Sequence, residues 1–179
     1  MDHRDMDNAA LDWNLEKTAD KLVSAMRATA ASVALVTTND GERRFSMSVT
    51  AMNSLSLDPP SVIICINGDA SIHAPLFAGR DFCVNLLSSG HAEMAIDCSG
   101  RLNGEARFEK GNWELGSGEI PYLGDAQANL FCQQDGQIRY GTHTIFIGKV
   151  LDVRLGRKSS PLLYVDGKYT APKAEENSG

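Results

Sequence analysis

The sequence predicts a mainly β protein, an antiparallel barrel with accessory helices, from three observations. Short runs of alternating or wholly apolar residues recur along the chain, a pattern typical of strands. Turn-forming residues such as Asn, Asp and Gly separate many of these runs at short intervals, as in hairpins. Helical spacing is confined to a few segments that do not alternate with the strands as a parallel, doubly wound sheet would require. We expect about seven or eight strands in one barrel.

The bulk composition is that of a globular domain. The chain has 179 residues, of which 42% are hydrophobic and 22% are charged. This length favours a single domain, which we place at residues 15–170, between an N-terminal arm at 1–14 and a polar tail at 171–179. The net charge of −6 argues against a nucleic acid or an anionic membrane as partner.

Cysteine and histidine spacing gives no sign of a metal site. The cysteines form no C-x-x-C pair, and the histidines lack the helical spacing of paired ligands. The N-terminus has no apolar segment of the kind found in signal peptides, and no run approaches the ~18 apolar residues of a membrane span. We therefore expect a cytoplasmic protein with reduced, structural thiols.

The first half of the domain predicts a helix followed by strands. Residues 15–30 place apolar side chains at three- and four-residue steps, which indicates an amphipathic helix. Residues 32–38 form a β-rich run, and the Asn39-Asp40-Gly41 turn should join it to the run at 45–60 in a hairpin. Residues 61–67 are almost wholly apolar, which indicates a strand buried on both faces.

The middle of the chain is more irregular. Residues 71–78 predict a short helix with Ser71 as its N-cap, residues 81–87 a strand, and residues 91–99 a second short helix. Residues 100–126 are rich in glycine, with one strand expected at 113–115.

The last third predicts paired strands. Asp135-Gly136 should turn a hairpin between residues 128–134 and 137–141. Residues 142–155 predict a long strand with a bulge or bend at Gly148, and residues 161–165 and 168–170 a final hairpin.

The run at residues 45–60, FSMSVTAMNSLSLDPP, is the most informative stretch. From Phe45 to Leu57 its odd positions are apolar except for Asn53, and its even positions carry hydroxyls except for Met52. A period of two gives a strand with one apolar face and one hydroxyl face. The hydroxyl face can be an ordinary solvent-exposed strand surface. Alternatively, it is a polar ledge that binds a ligand, with Ser48 and Thr50 pointing to the ligand while Met47 and Val49 pack inside.

Other polar groups follow strand ends. Ser71 can cap a helix, and such a helix N-terminus can bind phosphate. His143, beside Thr142 at the start of a long strand, can be a packed histidine or a ligand contact. A dinucleotide fingerprint is absent, because Gly116-Ser117-Gly118 is followed by Pro121 where the third glycine belongs. A phosphate-binding P-loop is absent as well.

Five segments carry a resemblance to a known family. In order they are VALVTT at 33–38, SVTAMNSLSLDPP at 48–60, FCVNLL at 82–87, G-x-H with a following I-x-I-G at 141–148, and PLLYVDGKY at 161–169. Together they resemble the flavin reductase family with the split-barrel FMN-binding fold. The resemblance covers residues 20–170 and implies reduction of FAD or FMN by NADH or NADPH, with His143 as the catalytic residue.

The resemblance also implies where the cofactors bind. The implied cofactor-binding residues are Thr37, Thr38, Ser48, Val49, Thr50, Ala51, Ser54, Asn67, Ser71, Phe82, Asn85, His143 and Tyr169. The family's G-D-H triplet, associated with the nicotinamide, is Gly141-Thr142-His143 here, so its aspartate is missing. Hydride transfer between two stacked cofactor rings needs no strong acid, base or nucleophile from the protein.

The resemblance further implies a homodimer that supplies reduced flavin to a separate monooxygenase. Two alternatives share the fold: a tightly flavin-binding electron carrier, which the Thr142 substitution favours, and a reductase of another acceptor such as a corrinoid or a ferric chelate. A structural or interaction module is a further alternative, because a fold alone does not fix a function.

Overall fold

The computed structural model describes residues 15–156 and 160–172. The arm expected at 1–14 and most of the tail, 173–179, lie outside the described residues. The described helices are α1 (Leu15–Arg27), α2 (His73–Phe77) and α3 (Ala92–Ile96), and none of them is long and apolar enough to cross a membrane. The strands are β1 (Ala31–Ser32), β2 (Ala34–Asn39), β3 (Arg44–Val49), β4 (Met52–Leu57), β5 (Pro60–Asn67), β6 (Phe82–Leu86), β7 (Trp113–Leu115), β8 (Pro121–Leu123), β9 (Ala128–Tyr140), β10 (His143–Leu155), β11 (Leu163–Val165) and β12 (Lys168–Thr170).

Seven strands form the main sheet, in the order β3-β2-β6-β9-β10-β5-β4. Every neighbouring pair is antiparallel, so β3 and β4, at the two ends of the order, run in the same direction. They are also consecutive in sequence, separated by Thr50 and Ala51. The predicted run at 45–60 is therefore one extended segment bent in the middle, whose halves pair with opposite ends of the sheet. This arrangement rolls the sheet into the predicted antiparallel barrel.

The barrel interior is a single apolar cluster. Side chains from one face of each strand contribute to this cluster, and α2 closes one end of the barrel. Its fully buried members include Ile64, Ile66, Leu76, Phe82 and Phe146. Met47 and Val49 pack against or within this cluster, as the alternation in the 45–60 run predicts.

A second apolar cluster covers the outer face of β2. It joins Leu35 and Leu87 to α3 and to a small sheet in the order β1-β11-β12. The predicted final hairpin is β11 and β12, whose Tyr164 and Tyr169 rings lie with centroids 5.1 Å apart. The domain thus has two layers, the barrel and a cap on one side of it.

The hairpin predicted at Asp135-Gly136 is wrong. Strand β9 continues through these residues, with Gly136 opposite Ile147 and Gln134 opposite Gly148, so that Asp135 is the extra residue of a β-bulge. The chain reverses instead at Gly141 and Thr142. The bulge lies where Gly148 was expected to bend the strand, and a Cβ at Gly148 would collide with the Phe82 ring.

The other local predictions differ from the structure in detail. Helix α1 ends at Arg27, and α2 begins at His73 with Ile72 in the N-cap position, so Ser71 is not its cap. The strand at 113–115 is confirmed as β7, and it pairs with β8, which the sequence pattern did not predict.

Strand β5 differs from its prediction because only one of its faces is buried. Val62, Ile64 and Ile66 point into the barrel, while Ile63 and Cys65 on the outer face are half-buried. The apolar run predicted that both faces of β5 would be buried, whereas within this chain only the inner face is buried.

Candidate functional site

The bend between β3 and β4 is the centre of the candidate site. Val49 and Met52 both face the barrel interior, while Thr50 and Ala51 between them are exposed. The alternation of the strand therefore changes phase at this point. The Met52 N–H donates to the Thr50 carbonyl at 3.0 Å, and the Cys65 N–H to the Ala51 carbonyl at 2.9 Å, which fixes the bend on β5. The two exceptions to the alternation in the sequence, Met52 and Asn53, mark the phase change.

The predicted hydroxyl ledge is not one continuous surface. Ser46 is fully buried, its Oγ lies 3.4 Å from the Cys98 Sγ, and its carbonyl accepts a hydrogen bond of 2.5 Å from Arg107. Ser48 is half-buried on the same face, and Ser54 is exposed beyond the bend. The open part of the ledge thus consists of Ser48 and Thr50, because the segment after α3 covers its beginning and Ser54, opposite Val62 on β5, lies on the other face of the strand after the phase change.

A second group of polar side chains lies near the bend. Tyr140, His143 and Asn67 are directly opposite one another on β9, β10 and β5. Asn67 lies two residues along β5 from Cys65, the partner of Ala51, which is about 7 Å. The bend and the row of Tyr140, His143 and Asn67 therefore form one surface at one end of the barrel.

Short hydrogen bonds order this row. The Asn67 Oδ1 accepts the Asp69 N–H at 2.9 Å, and the Gly68 N–H donates to the Thr142 carbonyl at 2.9 Å. The Thr142 hydroxyl lies 2.9 Å from the Nδ1 atom of the exposed His143, so the Nε2 edge of the ring is left for a ligand. Ser71 is exposed in the loop after Asn67, as a surface contact requires.

Four predicted cofactor-binding residues lie elsewhere. Thr37, Thr38, Phe82 and Asn85 have no exposed surface. The Thr37 hydroxyl donates to the Pro121 carbonyl at 2.5 Å and the Thr38 hydroxyl to the Asp81 carbonyl at 2.6 Å, while the Phe82 ring packs inside the barrel. Other protein groups cover these four side chains in this structure, and the flavin contact expected of them stays a prediction.

Asn85 is the centre of a buried amide network. Its Nδ2 donates to the Leu35 carbonyl at 2.9 Å and to the Thr37 hydroxyl at 3.1 Å. Its Oδ1 accepts from the Leu123 N–H at 2.8 Å and from the Asn129 Nδ2 at 2.9 Å. This network joins β2, β6 and β9 to β8, and sequence spacing gave no sign of Asn129.

Tyr169 and Ser48 lie towards the second apolar cluster rather than the row at the barrel end. Tyr169 packs against that cluster, and Ser48 is opposite Leu35, one of its members. Val49 has its side chain in the barrel core, so only its backbone faces the bend.

Among the described residues, the cysteines and carboxylates form neither a metal site nor a site with an activated thiol. Among residues 15–156 and 160–172, no group of three or more His, Cys, Asp or Glu is arranged to hold a metal ion. Burial raises the pKa of the Cys132 thiol to about 12 and also raises the pKa of Cys98. Such thiols are poor nucleophiles, because the thiolate is the reactive form.

A barrel closed by a bent strand, with exposed polar groups at the bend, is a scaffold suited to holding cofactors that react with each other. The chain belongs to the flavin reductase family, since the pattern of the flavin reductase like domain matches residues 26–173. This confirms the resemblance drawn from the sequence and the split-barrel fold.

Similar proteins agree with this membership. The chain is 35% identical over 151 residues to the reductase component of the FADH(2)-dependent resorcinol hydroxylase of Rhizobium sp. strain MTP-10005, covering 83% of this chain and 84% of the relative. It is 32% identical over 145 residues to the FMN reductase (NADH) RutF of Pseudomonas syringae, covering 81% and 82%. Among solved structures, it is similar to the NADH:FAD oxidoreductase SgcE6 of Streptomyces globisporus C-1027 in complex with NAD and FAD fragments, with a TM-score of 0.82, 26% identity, and coverage of 90% of this chain and 96% of that one.

Proposed function

We propose that the protein is an NAD(P)H-dependent flavin reductase that acts on FAD or FMN. The observation that carries this proposal is the surface where the exposed Thr50-Ala51 bend adjoins Asn67 and His143. It offers backbone groups, hydroxyls, an amide and an imidazole, which suffice to hold cofactors but not to attack a substrate. The cofactors supply the redox chemistry when bound, a two-electron transfer from the reduced nicotinamide to the flavin ring.

Five residues of the bent strand would hold the flavin. The backbone at Val49 and Ala51 and the hydroxyls of Ser48, Thr50 and Ser54 are the donors and acceptors that this segment offers. On the other side of the same surface, His143 would contact the nicotinamide, and Asn67 and Ser71 would lie near phosphate. His143 is the residue we propose as catalytic in the sense of touching a cofactor.

We also propose that the reduced flavin leaves for a separate monooxygenase. Support comes from relatives that are named as reductase components, including that of resorcinol hydroxylase. The exposed position of Thr50 and Ala51 supports it as well, because a flavin held on an open surface can dissociate. We place this activity in the cytoplasm, where the four cysteines, unpaired in the structure, would stay reduced.

Turnover of free flavin tests the function. Purified protein is mixed with NADH or NADPH and with free FAD or FMN, and the loss of absorbance at 340 nm is followed. We expect consumption of at least one nicotinamide in the presence of at least one flavin. A protein that consumes neither nicotinamide with either flavin would contradict the proposal.

A flavin-binding electron carrier is the second candidate, and the observation that favours it is Thr142 in place of the family aspartate. Such a carrier would keep its flavin through desalting and would not oxidise NADH. The reductase would release its flavin on desalting and regain activity when flavin is added back. The same purified sample therefore distinguishes the two functions.

We further propose that the protein is a homodimer. The outer face of β5, β10 and β9 carries apolar side chains that are not fully covered: Ile63, Ile145 and Ile147 are half-buried, and Ile138 is 57% exposed. Helix α1 presents Leu22, Val23 and Met26 to solvent as well. Contiguous apolar surfaces of this kind mark protein interfaces, and a symmetric pair is the commonest way to cover them.

Solution mass tests the dimer. We expect light scattering after gel filtration to give twice the 19.4 kDa chain mass. Ile145→Glu, in the middle of the apolar face, should shift the protein towards the monomer, whereas Lys149→Glu, near the edge of this face on the same strand, should not. A monomeric parent protein would contradict the proposal.

A further inference from the structure

A cleft of about 510 Å³ lies away from the candidate flavin surface. It is formed where the second half of β10 faces the loop before β8 and the loop before β6. Its lining includes Arg80, Ile120, Phe131, Leu151, Asp152 and Arg154. Leu151 lies eight residues from His143 along β10, or about 25 Å. The cleft is large enough for a small organic molecule.

One side of the cleft is an arginine fixed against two aromatic rings. The guanidinium of Arg154 lies 4.6 Å from the centroid of Tyr122 and 5.0 Å from that of Phe131. It donates to the Tyr122 hydroxyl, which in turn donates to Glu114. The Tyr122 and Phe131 rings are themselves nearly buried, so the arginine is held in place before any ligand arrives.

The loop before β8, which also lines the cleft, is held in an unusual conformation. Gly118 and Glu119 have φ values of 68° and 57°, and a left-handed backbone at a glutamate costs free energy. Asn39 donates to the Gly118 carbonyl at 2.9 Å, and a Cβ at Gly116 would collide with the Phe131 ring. The surrounding structure therefore maintains a strained loop at the rim of the cleft, as is common at binding sites.

The charges in the cleft cancel. Arg80 and Arg154 are balanced by Asp81 and Asp152, and the Arg154 Nε lies 3.9 Å from the Asp152 carboxylate. Each carboxylate uses one oxygen internally, because Asp81 accepts the Gln134 N–H and Asp152 accepts the Val153 N–H. A small hydroxyl group suits such a lining, since it donates to a carboxylate and accepts from a guanidinium.

We propose that this cleft is a second ligand site, for an uncharged planar aromatic ring that carries hydroxyl groups. The ring would lie on the apolar wall of Ile120, Phe131 and Leu151 beside the guanidinium of Arg154, which stacks well on aromatic faces. Its hydroxyls would bond to Asp152 and Arg80. A ligand with full negative charge fits less well, because two carboxylates line the same space.

Calorimetric titration with resorcinol as the probe tests the site. We expect one site per chain with a dissociation constant below about 1 mM. Arg154→Gln and Asp152→Asn should each weaken binding about tenfold, which is the loss expected for a hydrogen bond to a charged group. Asp152 is largely exposed, so its variant should fold even if the Arg154 variant does not. The control is Arg139→Gln, which removes an arginine stacked on Phe77 at 4.2 Å outside the cleft.

Three results would overturn the proposal. The first is the absence of binding by the parent protein, and the second is binding of benzoate as tightly as resorcinol, which would indicate an anion site. The third is displacement of resorcinol by FMN, which would make the cleft part of the flavin site. Flavin turnover by Asp152→Asn should stay within about twofold of the parent, because Asp152 lies far from the bend. A negative result for this second site would therefore be distinguishable from a loss of reductase activity.

Discussion

The Thr142 hydroxyl lies 2.9 Å from the Nδ1 atom of His143, at the turn between the two longest strands of the barrel. A neutral hydroxyl thus orients the imidazole where the family triplet has a carboxylate. The bond leaves Nε2 at the exposed edge of the ring, towards the surface that we assign to the nicotinamide.

The role of this bond can be measured with two variants. Thr142→Val should raise the KM for NADH about three- to tenfold with a smaller change in kcat, because loss of a neutral hydrogen bond costs about 0.5–1.5 kcal/mol. Thr142→Ser, which keeps the hydroxyl, should remain within about twofold of the parent. Equal kinetic constants for the valine variant and the parent would show that Thr142 does not position His143.

The open part of the ledge should determine flavin affinity. Replacing Ser48 and Thr50 together by alanine should raise the flavin dissociation constant about tenfold, since two hydroxyl contacts would be lost. Fluorescence quenching of free flavin measures this. The control is Ser56→Ala, because the Ser56 Oγ accepts the Asp58 N–H at 3.0 Å and serves the turn. Unchanged affinity in the double variant would mean that backbone groups alone hold the flavin, or that it binds elsewhere.

Asn85 should matter for stability rather than for flavin contact. Asn85→Ala removes an amide that makes four hydrogen bonds in a fully buried position, and should lower the free energy of unfolding by about 3–5 kcal/mol. Urea denaturation measures the loss, and the exposed Asn53→Ala variant should change stability by less than about 0.5 kcal/mol. If Asn85→Ala were as stable as the parent but bound flavin more weakly, this result would indicate that Asn85 contacts the flavin.

Lowering the pH should destabilise the segment after α3, which contains the Asp97–Arg101 ion pair and covers the start of the ledge. The Arg101 guanidinium, 2.6 Å from Asp97, lowers the pKa of that carboxyl below its usual value. Because the pKa of Asp97 is lower in the folded state, its carboxylate stabilises the folded protein at pH values above the unfolded-state pKa of about 3.9. This stabilisation is lost as the pH falls through the pKa that Asp97 has in the folded state.

The matching experiment compares the parent with Asp97→Asn. The parent should be the more stable of the two at pH 7, and the difference should shrink as the pH is lowered below about 4. Thermal unfolding across this range measures it. A difference that stays constant with pH would show that the carboxylate charge does not contribute.

The sequence alone determined much of the barrel. Alternation in residues 45–60 and the Asn39-Asp40-Gly41 turn predicted the hairpin of β2 and β3, because strand period and turn chemistry are local properties. The segments that carry the family resemblance also lie within the region that the family pattern matches.

Tertiary structure decided which of these residues are accessible. Ser46 and Ser48 share one face, as the period predicts, yet the segment that carries Cys98 and Arg107 buries only Ser46 completely. Thr37 and Asn85 lie in segments that carry the family resemblance, but they are buried and hydrogen-bonded to Pro121 and Leu123. Local periodicity predicts the face on which a side chain lies, whereas long-range packing decides whether that face meets solvent, a ligand or the rest of the protein.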